Sequence, residues 1–358
     1  MEQNKILIFT HNQKGRAIEH GRTQWISITN THQYINLVAS ILSVDSFASM
    51  NIVTGTRNEF EACQDMNTTE AVTPADEGRD AFYWEMVARN IGVYTPDEQA
   101  KLRTSRVIIF GLGGVGGYEA ILCARMGIGH VTGIDPDEFE ISNINRQMLA
   151  SSRQLGKPKA HAAEEIVTDI NPCMSVNFVQ DKVDEHNVAD LIRGHDIVLE
   201  AVDDMPSRVI IHRTARELGI PSVGMSGSPP TRGFVSTFFP QGIAYEQALN
   251  LPGMGEKLTD PELRRRIADV KKARAWHSVG LGAPSQWAQD YCDGKAGWII
   301  TPVRAHLLSL FSFHEVVQIL TGREPLARAP KGILIDLDTS VPVRVASPPE
   351  GGWDYATL

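Results

Sequence analysis

The stretch VIIFGLGGVGGYEA, Val107 to Ala120, runs from an apolar strand through a glycine-rich turn into the start of a helix. Gly111, Gly113 and Gly116 give the spacing G-x-G-x-x-G at the strand–helix junction. The first two glycines permit a tight turn and close approach of the backbone to an anion, and the third lets helix pack on strand. The helix start then offers free amides and the positive end of its dipole. Asp135 closes the next strand roughly twenty residues on, where a carboxylate can accept hydrogen bonds from ribose hydroxyls. A turn of this kind holds the pyrophosphate of a dinucleotide or the phosphates of ATP. The turn alone does not choose between them.

The flanking sequence sets the fold class. Strands are expected at Arg106–Phe110, His130–Asp135, Ser175–Val179, Ile197–Val202 and Pro221–Gly224. Helices are expected between them at Gly114–Met126, Lys159–Ile170, Val188–Arg193 and Ser207–Leu218. Near-continuous apolar strands alternating with helices imply an α/β fold: a Rossmann-like, mainly parallel sheet with helices on both faces. Downstream, FVSTFF and KGILIDLD read as strands, DPELRRRIADVKKARAW as a charged helix and Pro302–Leu320 as a long apolar helix. Thr95 is placed to cap a helix that starts with Pro96. Residues 1–78 form a small N-terminal α+β extension, with strands KILIFT and WISITN, a helix HQYINLVASILSV and a polar linker over residues 64–80. Residues 79–345 form the nucleotide-binding domain, and residues 346–358 a flexible tail.

Composition narrows the partners. Net charge is -9, which gives no bulk attraction to nucleic acid or anionic lipid. The four cysteines stand apart with no CxxC pair, which argues against a disulfide framework or a cysteine zinc site and suits a reducing cytoplasm. No apolar run is long enough to span a bilayer, so no membrane partner is expected.

The residues after Asp135 separate the two nucleotides. The segment IDPDEFEISNINRQMLASSRQLGKPKA carries Asp137, Asn143, Asn145, Arg146, Gln147 and Lys159 within one loop and the next helix start. A triphosphate has more charge than a helix dipole offsets and needs cations near its α- and β-phosphates, which Arg146 and Lys159 can supply.

This region resembles the ThiF/MoeB/HesA-like, ubiquitin-activating family of adenylating enzymes. The family pattern of G-x-G-G-x-G, I-D-x-D, S-N-x-x-R-Q and G-x-x-K is met in order by GLGGVG, IDPD, SNINRQ and GKPK. EAVDDMPSR matches the next marker, with Asp203 in the aspartate place and Arg208 in the arginine place, and ARNIGV matches an upstream element with Arg89. The resemblance implies that Gly111, Gly113, Gly114 and Gly116 cradle phosphates while Asp135 binds ribose. It further implies that Asp137 and Gln147 complete the nucleotide site, that Asn143, Arg146 and Lys159 neutralise and orient the triphosphate, and that Asp203 holds Mg²⁺. The C-terminal apolar helix is similar to the family's dimer-packing helix, and Arg89 would then act in trans in a homodimer. The activity implied is ATP-dependent adenylation of a substrate carboxylate, with release of pyrophosphate.

Two departures bear on the acceptor. Cys292 stands alone where many members carry zinc cysteines, so no structural zinc is expected; no crossover cysteine follows Asp203, so Cys292 is read as inert. Both weaken sulfur-carrier or ubiquitin-like activation, which stays an alternative beside a tRNA-modifying dehydratase. The extension is similar in kind to that of relatives that modify peptide natural products, such as the microcin C and pantocin A maturation enzymes, and would serve peptide recognition. From outside the family, an NAD-binding oxidoreductase is the remaining alternative. The region Gly253–Gly297 is expected to be a mobile lid or substrate loop.

Overall fold

The computed structural model describes residues 5–10, 24–27 and 50–55, then residues 76–350 and 352–358, with side chains from residue 78 onward. The chain divides into two units, Met1–Val72 and Thr73–Leu358. In the first, β1 (Lys5–Thr10), β2 (Gln24–Ser27) and β3 (Met50–Gly55) form an antiparallel sheet in the order β2-β1-β3. Lys5 stands opposite both Ser27 and Gly55. The helix expected at HQYINLVASILSV lies outside the described residues, as does most of the expected linker. The end of that linker is helical, opening α1 (Asp76–Met86).

The second unit begins with α1 and α2 (Pro96–Thr104). Thr95 caps α2 as expected: its hydroxyl accepts from Glu98 N, and the Glu98 carboxylate accepts from Thr95 N in return. Strands and helices then alternate as β4 (Arg106–Phe110), α3 (Gly116–Met126), β5 (His130–Ile134), α4 (Lys159–Ile170), β6 (Ser175–Val179), α5 (Val188–Ile192), β7 (Ile197–Glu200), α6 (Met205–Glu217) and β8 (Ser222–Ser228). After these come β9 (Arg232–Phe238), α7 (Tyr245–Ala248), α8 (Pro261–Gly280), α9 (Ser285–Cys292), α10 (Pro302–Thr321), β10 (Gly332–Asp336) and β11 (Val343–Ala346).

The eight strands form one sheet in the order β11-β10-β9-β8-β7-β4-β5-β6. Strands β4 to β8 run parallel, joined through helices, while β9, β10 and β11 add antiparallel neighbours. The change follows from the connection: only Pro229, Pro230 and Thr231 separate β8 from β9, too short a link for a parallel crossover.

Successive residues of β4 feed opposite cores, as the two-residue period of a strand requires. Val107 and Ile109 pack with Ala124 of α3, Ala163 of α4 and Val316 of α10. Ile108 and Phe110 pack with Val209 and Ile211 of α6 and with Leu263 and Ile267 of α8. These four side chains are fully buried, each contributing about 1.5–3 kcal/mol by removal from water.

Two regions differ from expectation. The tail after residue 346 packs: Trp353 is 7% exposed, Tyr355 is 2% exposed, and Trp353 Nε1 donates to Pro330 O at 2.6 Å. Its two aromatic rings hold it down, and its backbone bonds Ala248 O and Leu249 O. The region Gly253–Gly297 is largely helical, with α8 and α9 closing on a small core of Ala275, Ala283, Trp287 and Ala288. Among the described residues no helix is long and apolar enough to cross a membrane.

Candidate functional site

From β4 the chain passes to β5 on one side, and two units later β7 pairs with the other side of β4. The reversal opens a crevice at the carboxyl end of β4, the usual ligand position in open α/β sheets. The glycine turn lies there. Gly111 has φ +89°, and a Cβ on it would stand 2.7 Å from Ala201 O, so both conformation and space demand glycine. A Cβ on Gly116 would meet Gly111 O at 1.9 Å, which fixes it as the point where helix closes onto strand. Gly113, Gly114 and Val115 then line a cavity of about 290 Å³ at the start of α3.

Asp135 shapes this turn from the end of β5. One carboxylate oxygen accepts from Leu112 N at 2.6 Å and the other from Asp137 N at 2.9 Å. The group is 4% exposed, and burial raises its pKa above the ordinary aspartate value against the lowering pull of Lys159 and these amides. Each oxygen retains a lone pair for a ligand hydroxyl. Lys159, first residue of α4 and 6% exposed, extends Nζ to Asp137 at 2.8 Å and to Asp135 at 3.8 Å. Arg146 lines the same cavity, steadied by Ser142 O and Asn145 Oδ1, each at 2.9 Å. Gln147 is buried beside them, and its Oε1 has no hydrogen-bond partner.

Asp203 enters from the loop after β7, its side chain 86% exposed to the cleft. Arg208 of α6 braces that loop: its Nε donates to Val202 O at 2.8 Å while its guanidinium lies 3.5 Å from buried Glu200. Across the cleft, Lys271 Nζ donates to Asp203 O at 2.6 Å and stands 3.6 Å from Asp203 Oδ1. Lys271 is the main cause that holds the Asp203 carboxyl below its ordinary pKa, with Arg208, Arg146 and Lys159 adding to it against desolvation by the cleft walls.

The structure therefore brings Gly111, Gly113, Gly114, Asp135, Asp137, Arg146, Gln147, Lys159 and Asp203 to one cavity. Gly116 supports the turn from beneath. Asn143 does not line the cavity. Its side chain accepts from Glu140 N at 3.0 Å and closes the one-turn helix Ile141–Asn143. Arg89 is exposed on the one-turn helix Ala88–Asn90 and does not line the cavity of its own chain. Cys292, at the end of α9, does not line it either, and Cys123 is fully buried in the core as expected.

Among the cavity residues that the sequence does not single out are Lys271, Trp298, Arg304 and Tyr355. Lys271 sat inside a charged helix with nothing to distinguish it from a solvated face, and Tyr355 lay in a segment read as tail. Arg304 offered the one usable signal, a charged residue between apolar positions of α10.

A family model described as the ThiF family matches residues 87–343. A SAMP-activating enzyme of Haloferax volcanii is 35% identical over 150 residues, 42% of this chain and 55% of that protein. A tRNA threonylcarbamoyladenosine dehydratase of Haemophilus influenzae is 36% identical over 138 residues, 38% of this chain and 53% of that protein. The chain spans about half the length of these curated relatives. Among solved structures, E. coli MccB with AMPCPP and MccA superposes with TM-score 0.57 at 17% identity, covering 83% of this chain and 80% of that one. PaaA gives TM-score 0.55 at 21% identity, covering 81% and 91%. At these identities the two structures establish a shared fold.

Proposed function

The chain belongs to the ThiF family, and from that premise we propose that it is an ATP-dependent adenylating enzyme acting on the carboxylate of a peptide or small carrier protein. One observation carries the reading: the glycine turn, Arg146, Lys159 and Asp203 line a single cavity. An NAD site would need the turn and Asp135. It would not need two further cations beside the turn and a carboxylate facing them.

In this reading the α3 amides and Lys159 receive the α-phosphate region, Arg146 meets the departing phosphates and Asp135 takes the ribose hydroxyls. A carboxylate oxygen of the acceptor attacks the α-phosphorus in line. The bond from the α-phosphorus to the bridging oxygen breaks, and pyrophosphate leaves with the electron pair. The chain's own work is positioning and charge neutralisation, with no covalent enzyme intermediate. Asp203 fits a magnesium site in kind, since Mg²⁺ is commonly held by one or two carboxylates plus substrate phosphates. Its carboxylate is open to the cleft and kept ionised. Bound there, the ion would screen phosphate charge.

A homodimer is part of the proposal. On α10, Val303 and Leu310 are exposed, and Leu307 and Phe311 are half-buried between them, an apolar stripe at helical spacing. Exposed Arg89 is flanked by exposed Ile91 and Val93, which suits a segment that reaches a second copy. The peptide reading is favoured over carrier or tRNA acceptors by the likeness in fold to a complex that holds MccA. The cytoplasm is its proposed location. Calorimetric titration with Mg·ATP and with NAD, followed by ATP–pyrophosphate exchange on candidate peptides, tests the proposal. Tight NAD binding with no ATP binding would overturn it.

A further inference from the structure

Two buried arginines, Arg304 in the cleft wall and Arg274 outside its lining, have too few acceptors for their charge. Arg304, in the first turn of α10, is 1% exposed and lines the cavity. Its Nη2 donates to Ile299 O at 2.6 Å, while Nε and Nη1 have no hydrogen-bond partner among the described residues. Arg274 of α8, also 1% exposed, donates from Nε to Ser228 Oγ and from Nη2 to the main-chain oxygen of Leu358, both at 2.6 Å. Its Nη1 is without an acceptor, and its guanidinium lies over the Tyr355 ring at 4.4 Å. Arg304 forms no ion pair with a carboxylate among the described residues. Buried Glu200 faces Arg208 at 3.5 Å and His212 at 3.6 Å instead. Unpaired buried guanidinium groups are strongly disfavoured. Burial, and then the repulsion of Arg274, push the Arg304 pKa down to about 10. Such a site is suited to an anion.

Its position identifies the kind of anion. Ala305, next in chain to Arg304, packs on the glycine turn, where a Cβ on Gly114 would lie 3.6 Å away. His306 contacts Arg146 O at 3.1 Å, and Ser309 Oγ donates to Val115 O at 3.1 Å. Arg304 thus stands beside the phosphate turn, on the wall that carries neither Lys159 nor Asp135. On β8, Gly227 lines the cavity, and a Cβ there would stand 3.3 Å from Arg304 Nε, so only a glycine leaves that approach uncrowded. Arg274 already holds a main-chain oxygen, that of Leu358, just after the turn over residues 355–357.

We propose that Arg304, backed by Arg274, is the subsite that receives the carboxylate to be activated, and that this carboxylate is borne by a peptide chain. The inference rests on the adenylation reading above. A guanidinium fork would fix the plane of the carboxylate and present one oxygen towards the α-phosphorus, which a point charge does less well. Once the acyl adenylate forms, the acceptor has lost its charge and the hold on it weakens.

The test uses the full chain carrying ¹⁵N-labelled arginine, with the Nε–H signal of Arg304 identified by its loss in R304K. Acetate, glycylglycine, glycylglycine amide and pyrophosphate are titrated separately, with and without saturating AMP. The signal is expected to move with acetate and glycylglycine and to stay still with the amide and with pyrophosphate. In parallel, R304M is expected to bind Mg·ATP within about twofold of the wild-type affinity. No movement with either carboxylate would overturn the subsite, and so would equal movement with the amide. Movement driven by pyrophosphate, together with weakened ATP but unchanged AMP binding in R304M, would make Arg304 a phosphate reader and overturn it too. Failure of the wild-type protein to bind any adenine nucleotide would instead remove the adenylation reading, a result seen independently of the carboxylate titrations. Should R304M not fold, R304K keeps the buried charge and carries the same affinity comparison.

Discussion

The cleft has one wall built from a single run of chain and another gathered from distant places. Gly111, Asp135, Arg146 and Lys159 follow one another from β4 to the start of α4, whereas Lys271, Trp298, Arg304 and Tyr355 come from α8, a loop, α10 and the tail. The first wall obeys fixed local spacings because a strand, a tight turn and a helix leave few other ways to present amides to a phosphate. The second has no such rule. Its residues meet only because the helices beyond β8 fold back over the sheet, and their separations in sequence could be otherwise. Under the proposed function the contiguous wall serves the nucleotide and the gathered wall the acceptor.

The largest effects should come from the first wall and from Asp203, which lines the same cavity from the loop after β7. Lys159→Ala and Arg146→Ala are each expected to cost about 2–4 kcal/mol of transition-state stabilisation, about 30- to 1,000-fold in ATP–pyrophosphate exchange. Asp203→Asn should remove Mg²⁺-dependent exchange while circular dichroism shows the fold intact, because an amide lacks the charge a hard cation prefers. If exchange persists at the wild-type rate in these variants, the contiguous wall is not where the phosphates sit, and the contrast between the two walls collapses.

That contrast also explains what the sequence could tell. The parallel half of the sheet was legible because each apolar strand met a helix start, and Lys159–Ile170 and Ser175–Val179 appear at the bounds read from sequence. The tail was misread because GGWDY is rich in turn formers, yet Trp353 and Tyr355 find a groove that only the folded sheet creates. Asn143 lies outside the cavity lining for a related reason. A polar residue in a ligand-binding loop serves either the ligand or the loop, and its bond to Glu140 N is a matter of local geometry that spacing does not reveal. Arg304 is the opposite case, since its charge was visible but its lack of partners could be seen only in three dimensions.

A second experiment asks whether the first wall is complete within one chain. Arg89 is exposed and away from its own cavity, so the proposed dimer makes it a donor to the neighbour. Arg89→Ala mixed with Lys159→Ala, each nearly inactive alone, should form mixed dimers in which one of two sites has both residues intact. Up to roughly half the activity of a wild-type dimer should return in each mixed dimer. Absence of recovery, with subunit exchange demonstrated, would leave each wall wholly within its own subunit.

The smallest expected effect lies where the walls touch, at Lys271. Its ammonium joins Asp203 to the Trp298 side of the cleft, 5.2 Å from the indole centroid and 3.6 Å from the carboxylate. Because Lys271 is the largest of the causes that lower the Asp203 pKa, Lys271→Met should let that value rise towards the ordinary aspartate range. Arg208, Arg146 and Lys159 still pull it down, so the rise is partial. A lowered pKa keeps the carboxylate charged to more acidic pH, and its function is lost as pH falls through that lowered value. In Lys271→Met the acid limb of exchange activity should therefore lie at higher pH than in the wild type. Near neutral pH Asp203 is ionised in both proteins, and the open carboxylate makes this contact worth about 1 kcal/mol or less, within about fivefold in rate. A pH–rate profile of both proteins at fixed Mg²⁺ makes the comparison. Superimposed acid limbs would mean that the two walls, though in contact, do not share their electrostatics. A loss as large as that of Lys159→Ala would move Lys271 into the phosphate-binding set and erase the distinction between a local wall and a gathered one.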